Sequence, residues 1–482
     1  MNQSIVILGG GTAGWMTAIL FAHRWPSADI HLIESSDIPT VGVGEGSTPY
    51  LKNLFDQLNI SEDEWMPQCN ATYKNGITFK NWSTQPGCES YFHPFLSQYD
   101  ADIIPVFEHH ARLRCHGYPV QAHPDHYFLT KQLTDEFKKA LPIDGNNSVV
   151  TLYAYHFDAA KLGMFLKNKS IELGVKHSYG TIKSIQQKNN GDIAQLTTNS
   201  GEILTGDLFV DCSGFNALLI DKTLKTPFVK FDENLFNDSA IAIPSAKVEN
   251  YKPETKSTAL SCGWAWQIPL TNRVGNGYVY SSKYQTAESA EAELRKLIGV
   301  TEQEQPAKHI KMRVGRVEKH WNKNCLAVGL SQGFIEPLEA TALNFVQDTI
   351  NSFIQAYEEG EKNKQAFNDK MNYAFERIRD YIVLHYWSNS RNDSQYWQDC
   401  KQIPISPSLH KLLGVWFSGG SLSDELKAQQ IDQYYPSASW LALLAGYGVF
   451  PPFDPTKKED FSQDIRSIIA RRQALSAQFK KL

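Results

Sequence analysis

An α/β fold with an interleaved β-rich layer and a helical C-terminal part is what this sequence predicts, on three observations. A β-branched apolar run at residues 4–8 enters a glycine loop and then a helical pattern. Residues 181–210 alternate in a meander punctuated by Asn190-Gly191 and Ser200-Gly201. From residue 341 onward the apolar spacing is mostly helical.

The N-terminal elements follow in register. Ser4-Ile5-Val6-Ile7-Leu8 reads as a buried parallel strand. Gly9-Gly10-Gly11-Thr12-Ala13-Gly14 satisfies GxGxxG at positions 9, 11 and 14. A helix is expected over residues 15–24, with Trp15, Met16, Ile19 and Leu20 as its apolar face and Pro26 beyond its end. A second strand over residues 29–33 ends in Glu34. Gly9 allows the tight turn, Gly11 lets backbone approach a pyrophosphate, and Gly14 lets the helix pack on the sheet. Thr12 and Ala13 open the helix whose N-terminus faces the phosphates, and Glu34 can accept from a ribose hydroxyl. Strand, loop, helix, strand and acid together make a Rossmann-like dinucleotide site, and its place at the start of the chain favours FAD.

Further along, Asp158 is the expected N-cap of a helix with Leu162, Phe165, Leu166 and Leu173 on its apolar face, stopped at Gly174. Residues 208–210 read as a buried strand running into Asp211-Cys212-Ser213-Gly214. Residues 230–310 carry strand-like runs such as Gly277-Tyr278-Val279-Tyr280, and residues 326–330 read as another strand. Helices are expected over 343–357, 370–385 and 464–481.

Composition narrows the class. With 482 residues, 42% hydrophobic, the chain buries a large core, and a net charge of -5 argues against an electrostatic nucleic-acid binder. Seven scattered cysteines without CxxC spacing fit a reduced protein with neither a disulfide framework nor a zinc site. No signal peptide or membrane span is legible, so a cytoplasmic location is expected. His109, His110, His123 and His126, beside Glu108 and Asp125, match no familiar ligand spacing, and no metal is expected.

Four strings resemble the flavin-dependent halogenases related to the bacterial tryptophan halogenases. They are Gly9 to Trp15 followed by Val41-Gly42-Val43-Gly44-Glu45; Glu62-Asp63-Glu64-Trp65-Met66 leading to Cys69-Asn70-Ala71-Thr72-Tyr73-Lys74; Gly263-Trp264-Ala265-Trp266-Gln267-Ile268-Pro269, which fits GWxWxIP; and Phe334-Ile335-Glu336-Pro337-Leu338-Glu339-Ala340-Thr341. Tyr155-His156-Phe157-Asp158 and Asp211-Cys212-Ser213-Gly214-Phe215 are similar to further family stretches. The resemblance covers most of residues 1–350 and weakens from about residue 360.

The resemblance implies a p-hydroxybenzoate-hydroxylase-type FAD module in three parts, 1–80, 151–225 and 309–360, the last also binding halide. It implies a substrate-side insertion at 81–150, a β-rich substrate layer at 226–308 and a mostly helical substrate-pocket region at 361–482. The implied activity is FADH2-dependent halogenation. A flavin hydroperoxide and halide give hypohalous acid, which passes through a tunnel to an electron-rich arene. Lys74 matches the essential lysine, which either holds hypohalous acid by hydrogen bonding or is itself halogenated as a neutral amine. Glu339 matches the essential carboxylate, which stabilises the cationic ring intermediate or accepts its proton; the alternative is that Glu339 or Glu336 merely favours a helix start. Lys80 has no counterpart in the family and is read as structural.

Thr341 and Ala342 match the halide site, where free N–H groups at a helix start bind an anion; Ala342 adds a methyl where the tryptophan enzymes have glycine. Val41, Val43 and Gly46 of the flavin strap, with Ile182, Leu330 and Leu343, are the further flavin contacts implied. Trp264 and Trp266 would flank the tunnel, or else pack in the core. His93, Phe95, Pro49, Tyr434 and Tyr435 would surround the substrate. The Tyr-Tyr pair and Glu that grip tryptophan's amino-acid end in 7-halogenases are replaced by residues 419–424 and Gln430, so indole or a similar arene is expected over free tryptophan, unless Asp424 replaces the lost anion. A separate NAD(P)H-dependent flavin reductase is the implied partner, with no nucleic acid or membrane, and a homodimer is one expectation for the assembly. The competing readings are an FAD-dependent aromatic hydroxylase and a non-catalytic flavin-binding relative.

Overall fold

The computed structural model describes residues 3–37, 44–143, 150–301, 305–458 and 461–482. The chain forms two compact units, each assembled from three segments. The first holds Met1–Ala71, Phe157–Asp232 and Lys311–Glu376; the second holds Thr72–His156, Glu233–Ile310 and Arg377–Leu482.

The first unit is built on a six-stranded sheet. Its order is Trp321–Asn322, Cys325–Ala327, Leu208–Asp211, Ser4–Leu8, Asp29–Glu34, Lys176–Tyr179. Ser4–Leu8 is central and pairs in parallel on both sides, with Ile5 opposite Ile30 and Leu208. Both faces of such a strand are covered, which is why its apolar run is continuous rather than alternating. The helix Thr12–Arg24 buries ten residues. It begins earlier than the apolar periodicity suggests, because small residues at 12–14 carry its first turn while Gly11 stays extended as the N-cap. The helix Ala159–Glu172 is capped as its sequence predicts: the Asp158 carboxylate accepts from the backbone N–H of Ala160 at 3.0 Å and Lys161 at 3.2 Å. The meander is the antiparallel sheet Ile182–Gln187, Ile193–Thr198, Ile203–Thr205. The strand expected over 326–330 ends instead at Ala327, and Gly329–Ser331 is a 3-10 turn. Gly329 has φ +72, and a Cβ there would lie 2.8 Å from the Ala13 methyl, so a continued strand is replaced by a close turn against the fingerprint helix.

The second unit carries a seven-stranded sheet ordered Lys308–Lys311, Ser239–Ala246, Arg273–Tyr280, Gly263–Pro269, Glu254–Leu260, Gly76–Lys80, Ser90–Pro94. The GWAWQIP string is an interior strand, with Trp264 opposite Ala259 and Val279. Helix Ala287–Ile298 covers Ile241, Ile243, Ala265 and Tyr278 with Ala290 and Leu294. The helix expected at 370–385 runs over Lys364–Trp387. The helix expected to reach residue 481 stops at Ser476, and Phe479–Lys481 is a strand paired with Lys138–Pro142. Phe479 is buried and the two lysines after it are exposed, with a register shift between Phe479 and Lys481. Among the described residues no helix is long and apolar enough to cross a membrane.

Two buried histidines set a pH limit on the fold. His320 donates from Nε2 to Asn372 Oδ1 at 3.0 Å and stacks on Phe375, and burial pushes its pKa down to about 3. His385 meets the Tyr447 hydroxyl through Nδ1 at 2.9 Å, and burial holds it well below 6.5. Both are neutral in the folded chain, whereas the unfolded chain takes up protons below 6.5. Their stabilisation is full above that pH and declines as pH falls, by about 1.4 kcal/mol per pH unit for each. Thermal unfolding recorded from pH 7.5 to 5 should show a falling midpoint, and His320→Gln should flatten the fall; an unchanged slope in the variant would remove this account.

Candidate active site

In the first unit the glycine loop forms a cradle with one open side. Gly9 has φ +112 and donates its N–H to Ile33 O at 2.8 Å. A Cβ on Gly9 would lie 2.2 Å from Cys212 O, and one on Gly14 would lie 1.9 Å from Gly9 O. Gly11 is different: nothing lies within 4 Å of the place its Cβ would take. Gly9 and Gly14 are therefore closed by the chain itself, while the space over Gly11 is where a pyrophosphate can approach the backbone. Gly11 caps helix Thr12–Arg24 without a side-chain bond, so the first N–H groups, including those of Thr12 and Ala13, are available to phosphate oxygens. Glu34 ends its strand, and its carboxylate folds back over Gly10, where a Cβ would lie 1.8 Å from Oε2. These residues fit FAD.

Around the cradle, Leu330 lies in the 3-10 turn Gly329–Ser331, and Ile182 opens the meander and packs on the core beneath it. Leu343 is in the first turn of helix Ala342–Glu358. Gly46 lies in the short strand Glu45–Gly46, where desolvation and then the charge of Asp158 push the Glu45 carboxyl up to about 7. Val41 and Val43 lie outside the described residues. Pro49 caps helix Tyr50–Gln57 in this unit.

Glu339 ends the 3-10 turn Pro337–Glu339 and is only 5% exposed, with Glu336 more buried still. Ala340 follows in the left-handed region (φ +56, ψ 30), a conformation that costs an L-residue about 1–2 kcal/mol. This kink separates the turn from helix Ala342–Glu358, whose N-cap Thr341 makes no side-chain capping bond. The N–H groups of Thr341 and Ala342 thus stand at a helix start suited to a small anion.

In the second unit Lys74 ends strand Thr72–Lys74 and is 0% exposed. Its Nζ stands 5.3 Å from the centre of the Phe95 ring. The strand pairs with Ala154–Phe157 so that Thr72 faces His156 and Lys74 faces Ala154. The two-residue period puts Thr72, Lys74 and His156 on one face. The His156 tautomer follows from its partners. Thr72 Oγ1 donates to Pro269 O at 2.7 Å, so it accepts from His156 Nδ1–H at 3.1 Å, and Thr255 Oγ1 donates to Nε2 at 2.9 Å. Burial, then the charge of Lys74, holds His156 well below its ordinary pKa. A neutral imidazole with both nitrogens engaged therefore flanks the amine.

Asn75, which sequence reasoning passed over, anchors the segment. Its Nδ2 donates to Thr134 Oγ1 at 3.2 Å and Lys138 O at 2.9 Å, and its Oδ1 accepts from Ala140 N at 3.2 Å. Its backbone N–H donates to Pro253 O at 2.7 Å, and its carbonyl accepts from Phe95 N at 3.0 Å. That last bond also sets Phe95 beside the preceding lysine. Lys80, read as structural, is exposed at its strand end.

The aromatic candidates form two groups. His93 bonds Ser439 Oγ through Nε2 at 3.0 Å. Tyr435 stacks on Tyr381 at 3.8 Å, and Tyr381 donates to Ser439 O at 3.1 Å, so helix Ser437–Gly446 ties these rings together. Tyr434 is half-buried beside them in sequence. Trp264 and Trp266 are 6.1 Å apart on one strand, and Trp266 covers Gly277. In the histidine-rich stretch, His110 meets Tyr127 OH at 2.7 Å, Asp125 accepts from Phe92 N at 2.8 Å, and Glu108 accepts from Ser423 Oγ at 2.6 Å.

The sequence model of the tryptophan halogenase family matches residues 4–459. The chain belongs to the tryptophan halogenase family. The match runs through the C-terminal part, where the sequence strings alone had suggested a weaker likeness. The tryptophan 6-halogenase SttH of Streptomyces toxytricini is 34% identical over 478 residues, covering 92% of this chain and 89% of that enzyme. The tryptophan 7-halogenase RebH of Lentzea aerocolonigenes is also 34% identical, covering 97% and 93%. A solved flavin-dependent halogenase from Xanthomonas campestris superposes with a TM-score of 0.86 at 31% identity, covering 100% of this chain and 97% of that one. Like its family, this chain is an FADH2-dependent halogenase that uses halide.

The cradle yields a paired expectation. Gly11→Ala should leave the flavin-free protein's melting temperature unchanged yet weaken FAD binding by about tenfold or more, because its methyl enters only the space kept for pyrophosphate. Gly14→Ala should lower both, since its methyl meets backbone. Equal effects of the two on melting would contradict this placement.

Proposed function

We propose that the halogenation occurs in the second unit, on an electron-rich arene held beside Lys74. The observation that carries this reading is the complete burial of the Lys74 amine against Phe95, on a segment fixed by Asn75 and His156. Bound reduced flavin, with oxygen and halide, supplies hypohalous acid. Thr341 and Ala342 N–H groups hold the halide. The Lys74 amine donates a hydrogen bond to the oxygen of hypohalous acid and leaves the halogen facing the ring. His156 does not serve as a base for it, because Nε2 is taken by Thr255 and Nδ1 carries the proton. The ring carbon bonds the halogen as the oxygen–halogen bond breaks. The hydroxyl departs as water after taking a proton from the Lys74 ammonium, and the ring proton passes to a carboxylate base, the role the family resemblance gives Glu339. His93 and Phe95 flank the arene, with Tyr434 and Tyr435 on the helical side. Trp264 and Trp266 line the route.

The substrate is an arene without a zwitterionic tail, such as indole. Support comes from the region that would grip an amino acid: Asp424 and Gln430 are both exposed, and Gln430 adopts φ +55 in a turn. An ammonium without a carboxylate partner forgoes about 1.5–3 kcal/mol. The chain shows one dinucleotide fingerprint, which supports FADH2 supply by a separate NAD(P)H-dependent flavin reductase.

The test combines purified protein, FAD, a reductase, NADH and chloride or bromide, with halogen isotope patterns read by mass spectrometry. Lys74→Ala and Glu339→Ala should each cut product by on the order of 100-fold or more while flavin reoxidation continues. Normal halogenation by Lys74→Ala would defeat the assignment. In a separate comparison, kcat/KM for indole should exceed that for tryptophan by roughly tenfold or more; a preference for tryptophan would overturn the substrate reading.

A further inference from the structure

We propose that Lys167 and His177 are positioning residues for the adenosine ribose of FAD, acting through Glu34; this rests on the reading of Glu34 as the ribose acceptor. The two oxygens of the Glu34 carboxylate have different surroundings. Oε1 accepts from Lys167 Nζ at 3.2 Å and from His177 Nε2 at 2.9 Å. Oε2 lies over Gly10, on the fingerprint-loop side. One oxygen is thus held by the protein and the other faces the cofactor cradle, where a ribose hydroxyl can donate to it.

The two donors come from different elements and also meet each other, with Lys167 Nζ 3.4 Å from His177 Nε2. Lys167 lies on helix Ala159–Glu172, one turn after Gly163, whose Cβ position is 4.0 Å from Thr12 N. The helix carrying Lys167 is therefore registered against the loop that takes the pyrophosphate. His177 lies on strand Lys176–Tyr179, which pairs in parallel with the strand of Glu34, placing Tyr179 opposite Glu34. Tyr179 OH takes a second bond from Lys167 at 2.9 Å, and Trp15 packs on both His177 and Lys167, at 5.4 and 5.6 Å. All three members of the triad are at least four-fifths buried, so water competes little for these bonds.

A glutamate at a strand end has several rotamers, and the one observed lays an oxygen over Gly10. Two donors converging on Oε1 select that rotamer before the cofactor arrives, which lowers the ordering cost of binding. Lysine also balances the carboxylate charge without occupying the second oxygen. The arrangement favours a flavin that carries adenosine, and it does nothing for FMN, which lacks that half.

The test measures FAD and FMN dissociation constants of the flavin-free protein by flavin fluorescence, for wild type, Lys167→Met, His177→Phe, Glu34→Ala and the Lys167→Met/Glu34→Ala pair. Lys167→Met and His177→Phe should each weaken FAD by about tenfold and leave FMN unchanged, and Lys167→Met should add nothing once Glu34 is alanine. If Glu34→Ala weakens FAD but Lys167→Met does not, or if the two effects add, the positioning role is wrong although Glu34 stands. If Glu34→Ala leaves FAD affinity intact, the ribose reading itself is wrong. Equal losses for FAD and FMN would mark a general loss of structure and also overturn the proposal.

Discussion

The burial of the Lys74 amine is the constraint on which the rest of the second unit depends. Removing an ammonium from water costs several kcal/mol, and lysine is almost never fully buried without compensation. A chain that keeps one there must fix it firmly. It does so by bracketing the residue in sequence: Thr72 on one side engages His156, and Asn75 on the other has its side-chain amide and backbone groups engaged at once. The imidazole on the same face is kept neutral, so no second cation competes with the amine.

The first unit solves a different problem with the same economy of means. It keeps backbone N–H groups unspent at two helix starts, one after Gly11 and one at Thr341, and it places no capping side chain at either. The left-handed Ala340 shows that the second of these is held under conformational cost. Buried carboxylates at Glu336 and Glu339 precede that helix, where the N-terminal partial charge favours them. The dinucleotide cradle and the buried Lys74 thus lie in separate compact units.

How much of this was legible in the sequence depended on range. The fingerprint was readable because its glycines, helix and Glu34 lie within one short stretch and each has a local geometric reason. The Asp158 cap was readable for the same cause. Lys74 and Glu339 were found through family strings, since periodicity alone gives a lysine at a strand end no reason to be buried. Asn75 and the Thr72–His156–Thr255 chain left no local signal, because every partner is distant in sequence. Two elements were misjudged at their ends. The apolar run at 326–330 looked like one strand until Gly329 turned it, and residues 479–481 followed a helix whose pairing partner, Lys138–Pro142, lies far upstream. The ion pair on Glu34 was equally hidden, as its donors sit well over a hundred residues away.

The separation of oxidant formation from arene chemistry is tested most directly by a crystal structure of the protein soaked with both FAD and indole. The account places indole within about 4–4.5 Å of the Lys74 side chain and out of contact with the isoalloxazine. Indole stacked on the flavin ring, with the Lys74 amine remote from it, would contradict the account.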